Sequence, residues 1–366
     1  MQSSNIAYVP ALDHIRAYAA VLALFYHGLQ LFWHQAAYGS VFDASHWLAT
    51  DNPLLALVVE GHTAVALFMV LSGFIFTYGA RGRNVLYWRF IRNRLLRTYP
   101  LFVAMIALGI SAMPDRFSWQ ALLTTVFGLA NMPGHLDIAP VSAMFWAVAV
   151  EWHFYLLFPF LLLFLNGRGP GYLVLLVLLV LAWRGIAWLL TGEIRELAYF
   201  TIAGRLDQFL IGMLAGAWCA RHGTERVSPW LFPAVAALVL AGIWLFHRAG
   251  GWPQDNALRI AWGTVEAALW AAFLVAYLGF ARLIPARVSR LIASVGIVSY
   301  SIYLLHFVVI YLITVKGWYL VLGTGPVVDA LLTTLLVATP VTLLLSALSY
   351  HVIERPFLGL RSAYYR

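Results

Sequence analysis

Apolar stretches of roughly twenty residues recur along the whole chain, and short segments rich in proline, glycine and arginine separate them. A helix needs about 20 apolar residues to cross the hydrocarbon core of a bilayer, so each stretch predicts one membrane span. The apolar segment 117–130 is too short for this and predicts a re-entrant or interfacial piece. The pattern predicts ten spans, near 15–34, 60–79, 98–113, 142–165, 171–190, 205–220, 229–247, 262–282, 296–315 and 327–350.

The composition leads to the same conclusion. The 366 residues are 63% hydrophobic and only 10% charged, whereas soluble domains carry about 45–50% apolar and about 25% charged residues. These figures exclude a water-soluble enzyme, a disordered chain and a coiled coil. The single cysteine, Cys219, excludes a disulfide framework and a multi-cysteine metal site. We therefore expect an all-α fold, a polytopic transmembrane helical bundle that forms one domain over residues 1–366.

The distribution of arginines predicts the orientation. In a membrane protein a basic excess indicates topology before it indicates nucleic-acid binding, because short cytosolic loops are enriched in Lys and Arg. If both termini are cytosolic, 15 basic residues lie inside and five outside. The N-terminal segment lacks the features of a signal peptide, so the first apolar stretch is expected to remain as a span. The inside group is Arg81, Arg83, Arg89, Arg92, Arg94, Arg97, Arg168, Arg221, Arg226, Arg282, Arg287, Arg290, Arg355, Arg361 and Arg366.

Ionisable residues inside spans are costly and therefore mark candidate functional positions. In the first span Arg16 and His27 are eleven residues apart, so they share a helix face at a separation of ~16 Å. Asp13 lies one turn before Arg16 and is placed to pair with it. His27 then lies near mid-membrane, where a neutral imidazole can accept a proton. The alternative is a structural histidine that hydrogen-bonds a neighbouring helix.

The fourth span contains a carboxylate, Glu151, with Tyr155 one turn further along the same face. His153 lies ~200° around the helix from Glu151, so the two cannot line one pocket wall. A carboxylate that only stabilises is uncommon in lipid, which favours a functional role for Glu151. In the second span, Ser72 and Gly73 favour close helix packing, whereas Glu60 and His62 are expected to face water.

A basic segment, YWRFIRNRLLRTYP, lies between the second and third spans. Arg94 and Arg97 share a helix face, as do Arg89 and Arg92. Forked guanidinium groups suit phosphate recognition. The alternative is a helix that lies on anionic lipid headgroups. Further polar residues stand within or beside later spans and are either structural pairs or orienting groups: Arg205, Asp207, Glu266, His306, Glu354 and Arg355.

Several motifs are absent from the sequence. It has no P-loop, no GxGxxG phosphate cradle, no HExxH or EF-hand pattern and no GxSxG nucleophile elbow. A soluble hydrolase and an NTP-driven pump are therefore unsupported.

Seven segments resemble, in order and over residues 11–357, the motifs of one family. ALDHIRAYAAVLALFYH is similar to an opening Leu-Asp-x-x-Arg segment whose arginine is followed after ten residues by a histidine. FMVLSGF, FIRNRLLRTYPLF and WAVAVEWHFYLLFP resemble the next three motifs, and GRLDQFLIG, SYSIYLLH and IERPF resemble later ones. The family is the acyltransferase-3 family of integral membrane O-acyltransferases, which acylate sugars and other hydroxyl-bearing acceptors in bacteria.

The resemblance implies roles for individual residues. His27 matches the family's essential histidine, which makes it the general base on the acceptor hydroxyl. Arg94 and Arg97 match the basic pair that would bind the phosphates of acyl-CoA, with Arg92 beside them. Arg16 matches the arginine of the first span. Glu151 matches the carboxylate of the fourth, which makes it the second catalytic candidate, either to orient an imidazole or to hydrogen-bond the acceptor sugar. We assign supporting roles to Asp13, Arg16, Tyr155, Arg205, Asp207, His306 and Glu354, and no residue to a metal.

The sequence departs from the family pattern at three points. Ala66 stands where the family often has an acid. The Glu-Glu-Gln triplet of the fourth-span motif is Glu151, Trp152 and His153, so only the first acid remains. No C-terminal soluble domain is expected after Phe357, unlike in two-domain relatives, which favours a small or lipid-linked acceptor.

The resulting hypothesis is a membrane-bound O-acyltransferase of the bacterial inner membrane. It would transfer an acyl group, expected to be acetyl, from cytosolic acyl-CoA to a hydroxyl of a saccharide or lipid-linked glycan. Acyl-CoA is expected as a co-substrate, and no permanently bound cofactor is expected. The other expected partners are membrane lipids and a second copy of the chain, whereas nucleic acid is not expected as a partner. The alternative is a proton-coupled transporter of an acylated or lipid-linked sugar, since intramembrane His, Arg and Glu suit both classes.

Overall fold

The computed structural model describes residues 8–40, 42–43, 45–80 and 82–366. Arg81, one of the arginines expected inside, lies outside these described residues. Within them the secondary structure is helical, apart from a single antiparallel bridge between Val85 and Tyr365. This arrangement confirms the predicted polytopic helical bundle.

Ten long helices form the bundle within the described residues. Shorter helices connect them at Pro53–Val59, Trp119–Thr124, Arg195–Phe200 and Ala286–Ile297. The long helices are α1 (Pro10–Tyr38), α2 (Thr63–Ala80), α3 (Tyr87–Ala112), α4 (Phe145–Arg168), α5 (Pro170–Thr191), α6 (Ile202–His222), α7 (Leu231–Arg248), α8 (Leu258–Phe280), α9 (Ser299–Lys316) and α10 (Pro326–Leu358).

Nine of the ten predicted spans coincide with helices that are long and apolar enough to cross a membrane, counted over the described residues. The predicted span 205–220 corresponds to α6, which is 21 residues long but is not one of those nine. This helix carries Arg205 and Asp207 near its start and basic residues in its last turn. The short apolar helix at 119–129 is too short to span, as predicted.

Two predicted boundaries shift because polar residues extend helices beyond their apolar parts. The third span was predicted to begin at 98, but α3 begins at Tyr87 and includes the whole arginine segment. The last span extends to Leu358 through two π-helical turns, Thr334–Ala338 and Tyr350–Glu354. These π turns redirect side chains within a continuous helix, a geometry that is frequent at functional sites.

Close contact between α2 and α6 depends on glycine. A Cβ atom on Gly73 would lie 2.1 Å from the carbonyl oxygen of Phe209, and one on Gly212 would lie 2.0 Å from that of Val70. Gly216 follows Gly212 after one turn, and a Cβ there would lie 2.6 Å from the carbonyl oxygen of Phe74. The two backbones therefore touch along a small-residue seam, which is how membrane helices gain packing energy. The packing role predicted for Gly73 is confirmed.

The charged residues of α6 are neutralised inside the bundle. Asp207 Oδ2 accepts hydrogen bonds from Arg184 Nη2 of α5, at 2.5 Å, and from the Thr264 hydroxyl of α8. Arg205 donates to Gln208 Oε1 at 2.9 Å and lies over the ring of Tyr199. A buried charge is tolerated only when it is paired and hydrogen-bonded, so these contacts allow a polar helix to lie among apolar ones.

A second buried polar cluster surrounds Glu60, at the start of α2. The expectation that Glu60 and His62 face water is wrong: they are only 1% and 6% exposed. The Glu60 carboxylate accepts from His62 Nε2 at 2.9 Å, His247 Nδ1 at 2.8 Å, Trp47 Nε1 at 3.2 Å and the backbone N–H of Trp252 at 3.2 Å. Burial raises the pKa of Glu60, but the hydrogen bonds from His247 and His62 outweigh it and lower that pKa to about 2.

The glycine seam predicts that Gly212→Ala destabilises the fold. The new methyl group has to displace backbone, not a flexible side chain, so we expect a loss of about 1–3 kcal/mol or more in the free energy of unfolding. The measurement is the apparent melting temperature in one detergent. Gly185→Ala in α5 is the control, because its Cβ would meet no atom within 4 Å. Equal melting temperatures for the two variants would contradict the seam.

The Glu60 cluster predicts that Glu60→Gln lowers the free energy of unfolding by about 3 kcal/mol at neutral pH, because an amide cannot accept from all four donors. Glu193→Gln, at an exposed loop position, should have no effect.

The same cluster predicts a pH dependence. The pKa of Glu60 is lowered on folding, so the stability that its carboxylate contributes is fully present above the ordinary pKa of 4.5 and is lost as the pH falls toward 2. The measurement is the melting temperature of the wild type and of Glu60→Gln as a function of pH. A difference between the two that stays the same throughout that pH range would contradict the prediction.

Candidate active site

A cavity of about 480 Å³ opens between α1, α2, α3, α4, α9 and α10. Its volume is in the range of small-molecule binding sites. Tyr8 and Tyr364, near the two ends of the chain, both line it, so the cavity lies toward the face that carries both ends. Six residues singled out in the sequence line it together: Asp13, Arg16, Arg94, Arg97, Glu151 and Tyr155.

The first turns of α1 contribute an ion pair to the cavity wall. Arg16 Nη1 donates to Asp13 Oδ1 one turn earlier. The pairing predicted from their spacing is therefore confirmed, and it leaves the Arg16 charge compensated within its own helix.

A carboxylate and two hydroxyl-bearing residues form the α4 side of the cavity. Glu151 and Tyr155 both line it, as their shared face predicts, whereas His153 does not. Ser72 was predicted to be a packing residue; instead its hydroxyl donates to Glu151 Oε1 at 2.9 Å. Ser72 thus orients a carboxylate at the cavity surface, a role that the small size of serine did not indicate.

The two arginines of α3 occupy different electrostatic environments. Arg97 Nη1 donates to Glu354 Oε2 at 2.9 Å, and the other oxygen of that fully buried carboxylate accepts from the Ser301 hydroxyl. Arg94 has no carboxylate partner among the described residues. Its guanidinium carbon lies 4.8 Å from the ring centroid of Phe76, and its Nε is buried without a hydrogen-bond partner. Arg94 is therefore the residue with unused donors.

Six predicted site residues do not line this cavity, namely Arg92, Arg205, Asp207, His27, His306 and Glu354. Arg92 is exposed on another face of α3. Arg205 and Asp207 are buried in the polar cluster of α6, where Arg205 also borders a second, much smaller pocket of about 20 Å³. That volume is of the order needed for one water molecule. The residues around it are His62, Arg184, Ala198, Tyr199, Arg205, Gln208, Arg259, Trp262, Gly263 and Glu266.

His27 does not line the cavity and packs against aromatic residues next to it. Its ring centroid lies 5.3 Å from that of His306 and 5.0 Å from that of Phe307. His306 in turn lies 5.9 Å from Tyr303, which lines the cavity. The imidazole of His27 is partly buried and forms no hydrogen bond within the described part of the chain.

His306 has a defined tautomer. Its Nδ1 lies 2.9 Å from the carbonyl oxygen of Ile302 and must donate, so Nε2 carries the lone pair. That Nε2 is buried and has no partner among the described residues. The Tyr303 hydroxyl is likewise buried and unpartnered. These two buried polar atoms, next to the cavity and to His27, are therefore free to bind a ligand or water.

Sequence reasoning missed several polar residues of the cavity wall, among them Tyr300, Tyr303 and Arg361. The two tyrosines lie in the SYSIYLLH segment, which attracted attention only for His306. Arg361 was counted only as a topology charge. Burial, together with the neighbouring charges of Arg94 and Arg97, lowers the pKa of Arg361 to about 10, which still leaves it charged at neutral pH. Over the described residues, no group of three or more His, Cys, Asp and Glu side chains could hold a metal ion.

The family profile described as an acyltransferase domain matches residues 9–351, nearly the whole chain. The chain belongs to the acyltransferase-3 family. This family match identifies residues 9–351 as an acyltransferase domain, and nine long apolar helices among the described residues indicate a membrane protein. It also favours an enzyme over a transporter that performs no covalent chemistry.

Individual relatives in the acyltransferase-3 family are distant. Acyltransferase MdmB of Streptomyces mycarofaciens is 26% identical over 164 residues, 42% of this chain and 39% of MdmB. O-acetyltransferase OatA of Staphylococcus aureus (strain NCTC 8325 / PS 47) is 24% identical over 383 residues, 95% of this chain and 57% of OatA. The matches thus cover less than two thirds of either relative's own length. No solved structure matches the chain significantly.

The Arg97–Glu354 pair predicts a stability effect that is separate from catalysis. Arg97→Leu leaves the buried Glu354 carboxylate uncompensated and should cost about 3–5 kcal/mol of unfolding free energy. Glu354→Leu added to Arg97→Leu should recover part of that loss. Melting temperatures of the single and double variants test this, with Arg92→Leu as the exposed control in the same helix. Strictly additive losses would contradict a coupled pair.

Proposed function

We propose that the protein transfers an acyl group, expected to be acetyl, from acyl-CoA to a hydroxyl of a saccharide or lipid-linked glycan. The observation that carries the proposal is the cavity that combines Arg94, whose donors are unused, with the carboxylate of Glu151. The family supplies the reaction class, and the printed name of OatA, an O-acetyltransferase, supports an acetyl group and an oxygen acceptor.

The donor would bind with its phosphates at the arginines of α3. A guanidinium group offers several N–H donors in a fork that matches phosphate oxygens. Arg94 supplies this fork directly, whereas Arg97 is already held by Glu354 and contributes with its remaining donors and its orientation. Aromatic side chains, including Phe76 and Tyr300, surround these arginines and exclude water from the bound group.

Transfer would occur beyond the cavity, at His27. The hydroxyl oxygen of the acceptor attacks the thioester carbonyl carbon while His27 takes the hydroxyl proton. A carbon–oxygen bond forms, the carbon–sulfur bond breaks, and the departing thiolate of CoA takes up a proton. Tyr303 lines the cavity and its ring lies 5.9 Å from that of His306, so the acyl end of the donor would pass Tyr303 to reach His27. His306 would then act as a positioning residue beside the base.

The proposed orientation has the cavity open to the cytosol. The 15 basic residues predicted to lie inside include Arg94, Arg97 and Arg361, which line it, and both ends of the chain lie toward the same face. Cytosolic acyl-CoA therefore meets the arginines first. The acceptor would approach from the opposite face, where Tyr26 and His62 lie near His27. The expected location is the bacterial inner membrane.

The test is acyl-CoA turnover by protein in nanodiscs, followed as thiol release with and without candidate saccharide acceptors. A general base contributes about 10²–10⁴-fold to the rate, so His27→Ala should reduce turnover by about that factor while the protein still folds and inserts. His351→Ala, at an exposed histidine, is the matched control. An acylated product is also expected, since a transporter would leave its cargo unchanged.

Two outcomes would overturn parts of this proposal. Turnover of His27→Ala within about twofold of wild type would remove His27 as the base. Failure of the wild-type protein to bind or cleave any acyl-CoA would remove the donor.

A further inference from the structure

The residues that follow α10 are held firmly against the start of α3. The backbone N–H of Leu86 donates to the carbonyl oxygen of Tyr364 at 2.8 Å. Asn84 and Arg366 exchange two backbone hydrogen bonds, at 3.0 and 2.9 Å. This pairing fixes the course of residues 359–366, which we call the C-terminal segment.

Side chains lock the C-terminal segment in register. Asn93 of α3 is fully buried; its Nδ2 donates to the carbonyl oxygen of Ser362 at 2.6 Å, and its Oδ1 accepts from the Ser362 backbone N–H at 3.1 Å. Tyr364 is 2% exposed and packs against Phe90, with ring centroids 5.2 Å apart. Asn93 thus satisfies both backbone groups of one residue, and the C-terminal segment forms a permanent part of the cavity wall.

This fixation holds Arg361 at the cavity beside Arg94 and Arg97. Arg361 Nε donates to the carbonyl oxygen of Leu358 at 3.1 Å, and the guanidinium group has no carboxylate partner among the described residues. The acids nearest the cavity are already engaged: Asp13 with Arg16, Glu354 with Arg97, and Glu151 with Ser72.

Arg94 and Arg361 are therefore two like charges at one cavity, and neither forms an ion pair with a carboxylate among the described residues; Glu151 lines the same cavity but pairs with neither of them. Bringing them together costs electrostatic free energy in a site of low polarity. If an anion that carries more than one charge binds between the two arginines, it offsets this electrostatic cost. Phosphate esters have the required charge and the oxygen geometry for guanidinium forks.

We propose that Arg361 is a further donor-binding residue, which together with Arg94 binds phosphoryl oxygens of acyl-CoA. The inference rests on the proposed function, because it takes acyl-CoA as the donor. Arg361 lies beyond residues 9–351, the part of the chain that matches the family profile. The resemblance therefore assigned it no role, and only the fixed C-terminal segment brings it to the cavity.

Phosphate at this cavity has two possible sources, the donor and an anionic lipid headgroup. Coenzyme A carries a diphosphate and a 3′-phosphate, whereas phosphatidylglycerol carries one phosphodiester charge. Two arginines that lack an ion-pair partner at one cavity fit the more highly charged donor better. The experiment must therefore distinguish binding of CoA from binding of a lipid headgroup.

The experiment measures the affinity of full-length protein for CoA and for pantetheine, which lacks the phosphates, by calorimetric titration. The titrations use nanodiscs of phosphatidylcholine alone and nanodiscs that also contain phosphatidylglycerol. Arg361→Gln should weaken CoA binding by about tenfold or more and leave pantetheine binding unchanged, because only phosphate contacts are lost. Arg361→Lys keeps the charge and should lie between Arg361→Gln and wild type. Arg366→Gln, with the same charge change at an exposed position of the same segment, should match wild type.

Each other outcome has a defined meaning. If wild type binds CoA and Arg361→Gln binds it equally well, the inference about Arg361 fails and the proposed donor stands. If wild type binds no CoA in either nanodisc, the proposed donor fails. If Arg361 affects only the melting temperature in phosphatidylglycerol nanodiscs and not CoA affinity, the site binds a lipid headgroup and the inference is overturned.

Discussion

The free-energy cost of a charged group among apolar helices organises this protein. Buried charges require partners, and several have them: Asp207 pairs with Arg184, Glu354 pairs with Arg97, and Glu60 is hydrogen-bonded by two histidines. The contacts of Glu354 with Arg97 and of Glu60 with His247 join segments that are distant in the chain. The remaining charges, which lack a partner, mark candidate ligand sites. An unpaired charge among apolar helices is costly unless a ligand of opposite charge compensates it.

The cavity and His27 occupy different parts of the bundle. The cavity receives its walls mainly from α1, α2, α3, α4, α9 and α10, with Phe68 and Tyr303 among its lining residues. His27 does not line it and packs against His306 and Phe307. In the proposed reaction the phosphates of the donor would stay at the arginines of the cavity while its acyl end reaches His27. The single helix α1 would then contribute Arg16 to the cavity wall and His27 to the proposed chemistry.

The departures from the family pattern have structural explanations in α4. Trp152 stands where the family has a second acid, and its indole N–H donates to the Thr98 hydroxyl at 3.1 Å. Trp152 therefore joins α4 to α3 and does not line the cavity. His153 lies on the far side of α4 and is also absent from the cavity wall. Only Glu151 of the three positions contributes to the site, with Ser72 as its hydrogen-bond partner.

The sequence alone determined the fold class and the membrane location, because runs of apolar residues long enough to cross a bilayer have few other stable states. It also determined local pairs such as Asp13 with Arg16, and the shared face of Glu151 and Tyr155, since helical periodicity dictates both. The burial of Glu60 and His62 could not be predicted, because it depends on His247 and Trp252, which are far away in the chain. The same holds for Arg361, which a backbone pairing and one asparagine bring to the cavity. Contacts between residues hundreds of positions apart follow from the packing of all helices together, which no local pattern encodes.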